Sequence, residues 1–155
     1  MKTVDIADEI FRELDAPDDF PIPNISFWLT SNIGKLNTLL CLDITVDANM
    51  EFVPELTDPQ KDILKLLYYV YVYRRLNRNA LGAGAYDWSE IQEGDTSIRR
   101  VSKNELAKSY KALKDDIQKE LDDLVFFYKQ RQSLPAAYHY RTPYELIEHL
   151  RYLLV

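Results

Sequence analysis

The stretch LTDPQKDILKLLYYVYVYRRLN, residues 56–77, restricts the fold more than any other part of the chain. Thr57 or Asp58 supplies an N-cap, and Pro59 suits a first helical turn, where its missing N–H costs nothing. From Ile63 to Leu76 the helix so begun is apolar nearly all round. A helix without a polar face must be contacted from several sides, so this one predicts a bundle built around it.

The other periodic segments supply the neighbours. Ile6, Ile10, Phe11 and Leu14 recur at helical spacing and predict a first helix over residues 4–14. The segment DAPDDFPIPN carries three prolines and predicts a break. A second helix is expected over 26–40, with Phe27, Leu29, Ile33, Leu36 and Leu40. Alternation at Leu42, Ile44 and Val46, then Met50 and Phe52, predicts a short hairpin or ordered loop near residues 42–53. Ser102-Lys-Asn-Glu105 forms a capping box opening the longest helix, to about Gln132, with the stripe Leu106, Tyr110, Leu113, Ile117, Leu121, Leu124 and Tyr128. Between these helices, residues 80–101 predict an extended arm, and a connection that long in a compact domain is usually functional or disordered. Thr142-Pro143-Tyr-Glu145 caps a last short helix with Leu146, Ile147, Leu150 and Leu153 in a tail over 133–155. The expected fold is all-α, a single domain over 1–155 with a bundle of four or five helices.

Charge and composition narrow the function. Net charge is −6, from 19 Lys+Arg against 25 Asp+Glu, which disfavours general nucleic-acid binding. The acids Asp5, Asp8, Glu9, Glu13, Asp15, Asp18 and Asp19 crowd the first nineteen residues, while Arg74, Arg75, Arg78, Arg99 and Arg100 lie in the middle. A chain with an acidic end and a basic middle is suited to pairing with copies of itself. One cysteine, Cys41, excludes an internal disulfide and fits a reducing compartment. No apolar run reaches the roughly 18 residues of a membrane span. The acidic N-terminus has the wrong sign for a secretory signal, so a soluble, intracellular origin is expected.

No residue set announces a reaction. His139 and His149 lack partners at metal-ligand spacing beyond Glu145 and Glu148, so no metal is expected. Cys41 has no elbow or base near it in sequence and reads as a core residue. Asp115-Asp116 and Asp122-Asp123 are adjacent on one helix, where side chains diverge by about 100°, so they form a solvated face. Gly34-Lys35 lacks the rest of a phosphate loop, and Gly82 and Gly84 follow a helix instead of a strand. Tyr68, Tyr69, Tyr71 and Tyr73 read as core and interface side chains. No catalysis and no cofactor is expected.

One stretch carries a likeness. Ile91-x-x-Gly94-Asp95-x-Ser97-Ile98, followed by Ala107-x-x-Tyr110-x-x-Leu113, resembles the head–tail adaptor (connector) proteins of long-tailed bacteriophages. The likeness covers about 25 residues, and the general helix order fits over most of the chain. The acidic segment Asp15–Asn24 and the pair Arg99-Arg100 depart from the family pattern. The resemblance implies a virion protein of the phage neck, made in the host cytoplasm, forming a dodecameric ring under the portal protein. It further implies a downstream neck or tail-completion protein as second partner, and a channel through which packaged DNA passes without specific binding.

Physical reasoning adds a contact scheme. A ring requires two different faces of one subunit to meet. The arm, with Gly94, Asp95, Ser97, Ile98, Arg99 and Arg100, is expected to reach a neighbour, its arginines pairing with Asp5, Asp8 or Glu9 of that neighbour. The tail helix, through Leu146 and Leu150, is expected either to dock on the portal or to close its own core. Two further classes stay open: a cytoplasmic helical protein–protein interaction module, and a helical nucleic-acid-binding domain using Arg74, Arg75, Arg78, Arg99 and Arg100.

Overall fold

The protein is described by a computed structural model over residues 1–83, 90–93, 96–99 and 103–133. Helix α1 (Thr3–Glu13) is followed by α2 (Ile22–Leu40), a two-stranded hairpin of β1 (Thr45–Val46) and β2 (Phe52–Val53), and α3 (Asp58–Ala83). A second hairpin, β3 (Glu90–Glu93) and β4 (Thr96–Arg99), precedes α4 (Lys103–Ser133). The class is all-α, as expected, with four helices among the described residues. The proposed tail helix, with Leu146 and Leu150, lies outside them, as does Ser102 of the expected capping box.

Local chemistry sets each boundary. Asp5 in the first turn of α1 accepts the Lys2 N–H at 3.0 Å, and α1 stops at Asp15 and Ala16, whose φ values of 58° and 52° are left-handed. The proline segment does not separate two helices as widely as expected. Pro21 is the N-cap of α2 and Pro23 sits in its first turn, because a residue without an N–H and with fixed φ is tolerated there. Helix α2 therefore starts four residues earlier than Ser26.

At its other end, Cys41 adopts φ 55°, and its N–H closes on the Asn37 carbonyl. Cys41 is exposed, which corrects its expected place in the core: the left-handed cap turns its side chain away from the helix face that Leu36 and Leu40 bury. Asn37 then holds the departing chain, donating to the Ile44 carbonyl at 2.8 Å and accepting its N–H at 3.1 Å. The expected hairpin follows, with Thr45 paired to Val53 and Val46 to Phe52. The start of the chain adds to its edge through a Lys2–Glu51 bridge and a bond from Thr3 N–H to the Met50 carbonyl at 2.8 Å.

Helix α3 has no exposed side chain from Ile63 to Tyr73, so it is the many-sided central helix the sequence predicts. Ile6 and Ile10 of α1, Ile25, Leu29 and Leu36 of α2, Phe52 of the hairpin and Leu121 of α4 share one core with its Ile63, Leu64, Tyr68 and Val72. Thr3 Oγ1 meets Ser26 Oγ at 2.9 Å inside the α1–α2 contact.

Helix α4 runs antiparallel to α3. At one end Gln60 accepts the Thr57 N–H at 2.9 Å, completing half of a capping box, and donates to the Tyr128 hydroxyl at 2.7 Å. Toward the other end the Tyr73 and Tyr110 rings lie 6.4 Å apart.

Two expectations need correction here. Residues 80–83, assigned to the arm, continue α3, since Asn79, Ala80 and Leu81 contain no helix breaker and a single Gly82 is tolerated. Part of the arm is paired strand, with Ile91 opposite Ile98 and Glu93 opposite Thr96. Gly94 and Asp95 fall between these strands and outside the described residues.

Leu29 is fully buried, whereas Phe27, two positions earlier, is 72 % exposed. Leu29→Ala is expected to lose about 3 kcal/mol of unfolding free energy in urea titration. Phe27→Ala is expected to change it by less than about 0.5 kcal/mol, the range of surface substitutions.

Candidate interaction surfaces

Among the described residues no three His, Cys, Asp or Glu side chains gather as a metal site, and no buried side-chain polar atom lacks a partner. Both histidines lie outside those residues. No described helix is long and apolar enough to cross a membrane. Three surfaces remain on which chemistry is concentrated.

The first joins α1 to α3. Lys65, nearly covered, reaches Glu9 at 2.9 Å and Glu13 at 2.6 Å, and Lys61 reaches Glu9 at 3.5 Å. The Tyr69 hydroxyl also donates to Glu13. Lys65 donation holds the Glu9 carboxyl below its ordinary pKa against a smaller burial effect. For Glu13, burial pushes upward, but donation from Lys65 and Tyr69 prevails and the net shift is downward. Burial alone would lower Lys65, yet the two carboxylates raise it. Burial and the bond to Glu13 push Tyr69 far above its ordinary value.

The acids expected to meet a neighbour's arginines are thus engaged within the chain. Asp5 caps α1, Asp8 pairs with Arg12 at 2.6 Å, and Glu9 holds the two lysines. Their expected partners sit on or beside β4, in which Ser97, Ile98 and Arg99 lie. Gly94, Asp95, Arg100, Leu146 and Leu150 are outside the described residues.

The second surface is one flank of α4. The stripe expected to face inward divides in two. Ala107, Tyr110, Ile117, Leu121, Val125 and Tyr128 turn toward the bundle, while Leu106, Leu113 and Leu124 are 38 %, 44 % and 36 % exposed. The division is geometric. Ala107, Leu121 and Val125 lie along one line of the helix, and the leucines fall about one sixth to one third of a turn aside. Phe127, 60 % exposed, extends this flank, where Pro59, Asp62, Leu124, Phe127, Tyr128 and Arg131 border a groove of about 250 Å³.

The third surface lies across α2 and α3. Trp28 packs edge-on to Tyr68 at 5.2 Å and tilted against Tyr71 at 5.4 Å. Burial drives the Tyr68 hydroxyl pKa up to about 12, as befits a core tyrosine. Lys35 stands over the Trp28 ring at 5.4 Å and Arg75 over Phe20 at 5.1 Å. Arg74, Arg75, Arg78 and Phe27 are exposed beside them. Sequence periodicity counted Phe27 with the apolar face of α2 and missed Trp28 and Lys35. The signal present was the spacing Trp28–Lys35, two helical turns on one face.

Against protein-family models, curated proteins and solved structures, the chain finds no match.

The α1–α3 ion network sets a pH dependence. Glu9 and Glu13 have lowered folded-state pKa values, so their contribution is present above the unfolded value and is lost as pH falls through the folded one. Lys65→Met is expected to flatten the stability loss on acidification below about pH 5. At neutral pH it should cost under about 1 kcal/mol from these half-exposed carboxylates. Urea midpoints measured from pH 3 to pH 7 check both.

Proposed function

We propose that this chain is an assembly module, a phage head–tail adaptor that forms a ring in the virion neck between portal and tail. The observation that carries the reading is the uncovered flank of α4, where Leu106, Leu113, Leu124 and Phe127 are exposed along one helix. Leu106 and Phe127 lie 21 positions apart, or about 32 Å along the helix at 1.5 Å per residue. An apolar line of that length on a charged chain is what a subunit interface presents, because covering it removes several large side chains from water at once.

Two features agree with a head-to-tail contact. A β-hairpin stands between α3 and α4 in the chain, a second element available for contact. The resemblance of residues 91–113 to head–tail adaptors supplies the viral context, and with it the portal and a tail-completion protein as partners. A cytoplasmic interaction module would use the same α4 flank, and the two readings differ in what the flank covers.

Purified protein mixed with portal rings and imaged by electron microscopy is expected to add a ring of density to one portal face. Leu113→Asp with Leu124→Asp should abolish that density while leaving helical circular dichroism unchanged. Arg99→Glu with Arg100→Glu should do the same if the hairpin is the second contact. Full assembly by the α4 variant would overturn the proposal.

A further inference from the structure

The α2–α3 face carries cations that the chain leaves unanswered. Arg12, Lys61, Lys65 and Lys114 each have a carboxylate partner, but Lys35, Arg74, Arg75 and Arg78 are in no ion pair among the described residues. These four belong to a protein of net charge −6. Other described cations, such as Lys108 and Lys119 of α4, are also in no ion pair, but Lys35, Arg74 and Arg75 are set apart by gathering at clefts that Trp28 and Tyr71 border.

The cations frame an aromatic floor. Trp28 and Tyr71 border two adjoining clefts of about 250 and 310 Å³. Phe27 and Arg75 stand on the rim of the first, Lys35 and Arg74 on that of the second. Phe27 is 72 % exposed, the largest exposure among the large apolar side chains described. Guanidinium groups offer paired donors to carboxylates, and half-covered aromatic rings offer a surface for an apolar anchor.

The surrounding acids choose between polyanions. Asp18 and Asp19 immediately precede Phe20, and Asp122 of α4 borders the second cleft, where it accepts from Gln118 at 3.0 Å. A continuous phosphate backbone crossing the face would meet these carboxylates. Stacking of successive bases would also require several open rings, whereas Phe27 is the open one here, with Lys35 over Trp28 and Tyr71 packed against it. A peptide avoids both conflicts, since its charges are spaced and its anchor enters beside Phe27.

We propose that the face formed by Phe27, Trp28, Lys35, Tyr71, Arg74 and Arg75 docks an acidic segment of a partner protein, one carrying an aromatic or aliphatic anchor residue. This site is on a different edge of the α3–α4 pair from the apolar flank of α4, and it stands whether or not the chain forms rings.

The test is fluorescence anisotropy with a labelled peptide of Asp and Glu around a central Phe, a second peptide with Ser in place of Phe, and labelled oligothymidylate. The Phe peptide is expected to bind, and to weaken as salt screens the exposed charges. Arg74→Glu with Arg75→Glu should weaken it about tenfold or more, with thermal melting lowered by no more than the loss of the contact that exposed Arg75 makes with Phe20. Phe27→Ser should weaken the Phe peptide severalfold and leave the Ser peptide unaffected. Absence of peptide binding, equal binding by the arginine variant, indifference of the Phe peptide to Phe27→Ser, or tighter binding of oligothymidylate would each overturn the proposal.

Discussion

Between Ile63 and Tyr73, helix α3 keeps no side chain in open water, and the arrangement of the other elements follows from that burial. At 100° per residue, eleven consecutive covered positions leave no free sector around the axis. Helices α1, α2 and α4 contact α3 directly, and the first hairpin enters the shared core through Ile44 and Phe52. Tyr68, fully enclosed and edge-on to Trp28, shows how closely α2 approaches. Lys65 and Tyr69 are tolerated within this span because Lys65 pairs with Glu9 and Glu13 and the Tyr69 hydroxyl donates to Glu13.

That same network redistributes charge over the molecule. Drawing Lys61 and Lys65 toward α1 neutralises acids that stand near the start of the sequence. The cations of the later half of α3 are left facing solvent without such partners among the described residues. A chain that reads as acidic at one end and basic in the middle becomes a bundle with its acids partly consumed and one cationic–aromatic face. The proposed binding of an acidic partner there and the proposed assembly through α4 are physically separate, since they use different edges of the α3–α4 pair.

Helix α4 is long, 31 residues, and is packed along a single line. Gln60, bonded to Tyr128, ties the start of α3 to its far end, and Tyr73 lies near Tyr110 toward the hairpin. One helix cannot cover more than one stripe of another. The second stripe of α4, Leu106 to Phe127, therefore remains as the surface a further helix or subunit would bury.

The sequence by itself determined the class of fold, the central place of α3, the start of α3 at Thr57–Pro59, and the first hairpin. Each of these depends on local chemistry: periodicity, a cap, a proline, an alternation. It also marked the residues of the arm, but not that 80–83 continue a helix or that 90–93 and 96–99 pair, because pairing depends on a partner strand and not on propensity.

Which stripe of α4 faces inward was decided only by tertiary structure. Leu113 and Ile117 are similarly apolar, and only the packing of α4 on the bundle sets Ile117 against the core and leaves Leu113 exposed. The fate of Asp8, Glu9 and Cys41 was settled in the same way. A charge shows its partner, and a cap its direction, only once the distant element is in place. Trp28 and Lys35 escaped sequence reasoning for that reason: their meaning comes from Tyr71 and Arg74, more than thirty residues away on another helix.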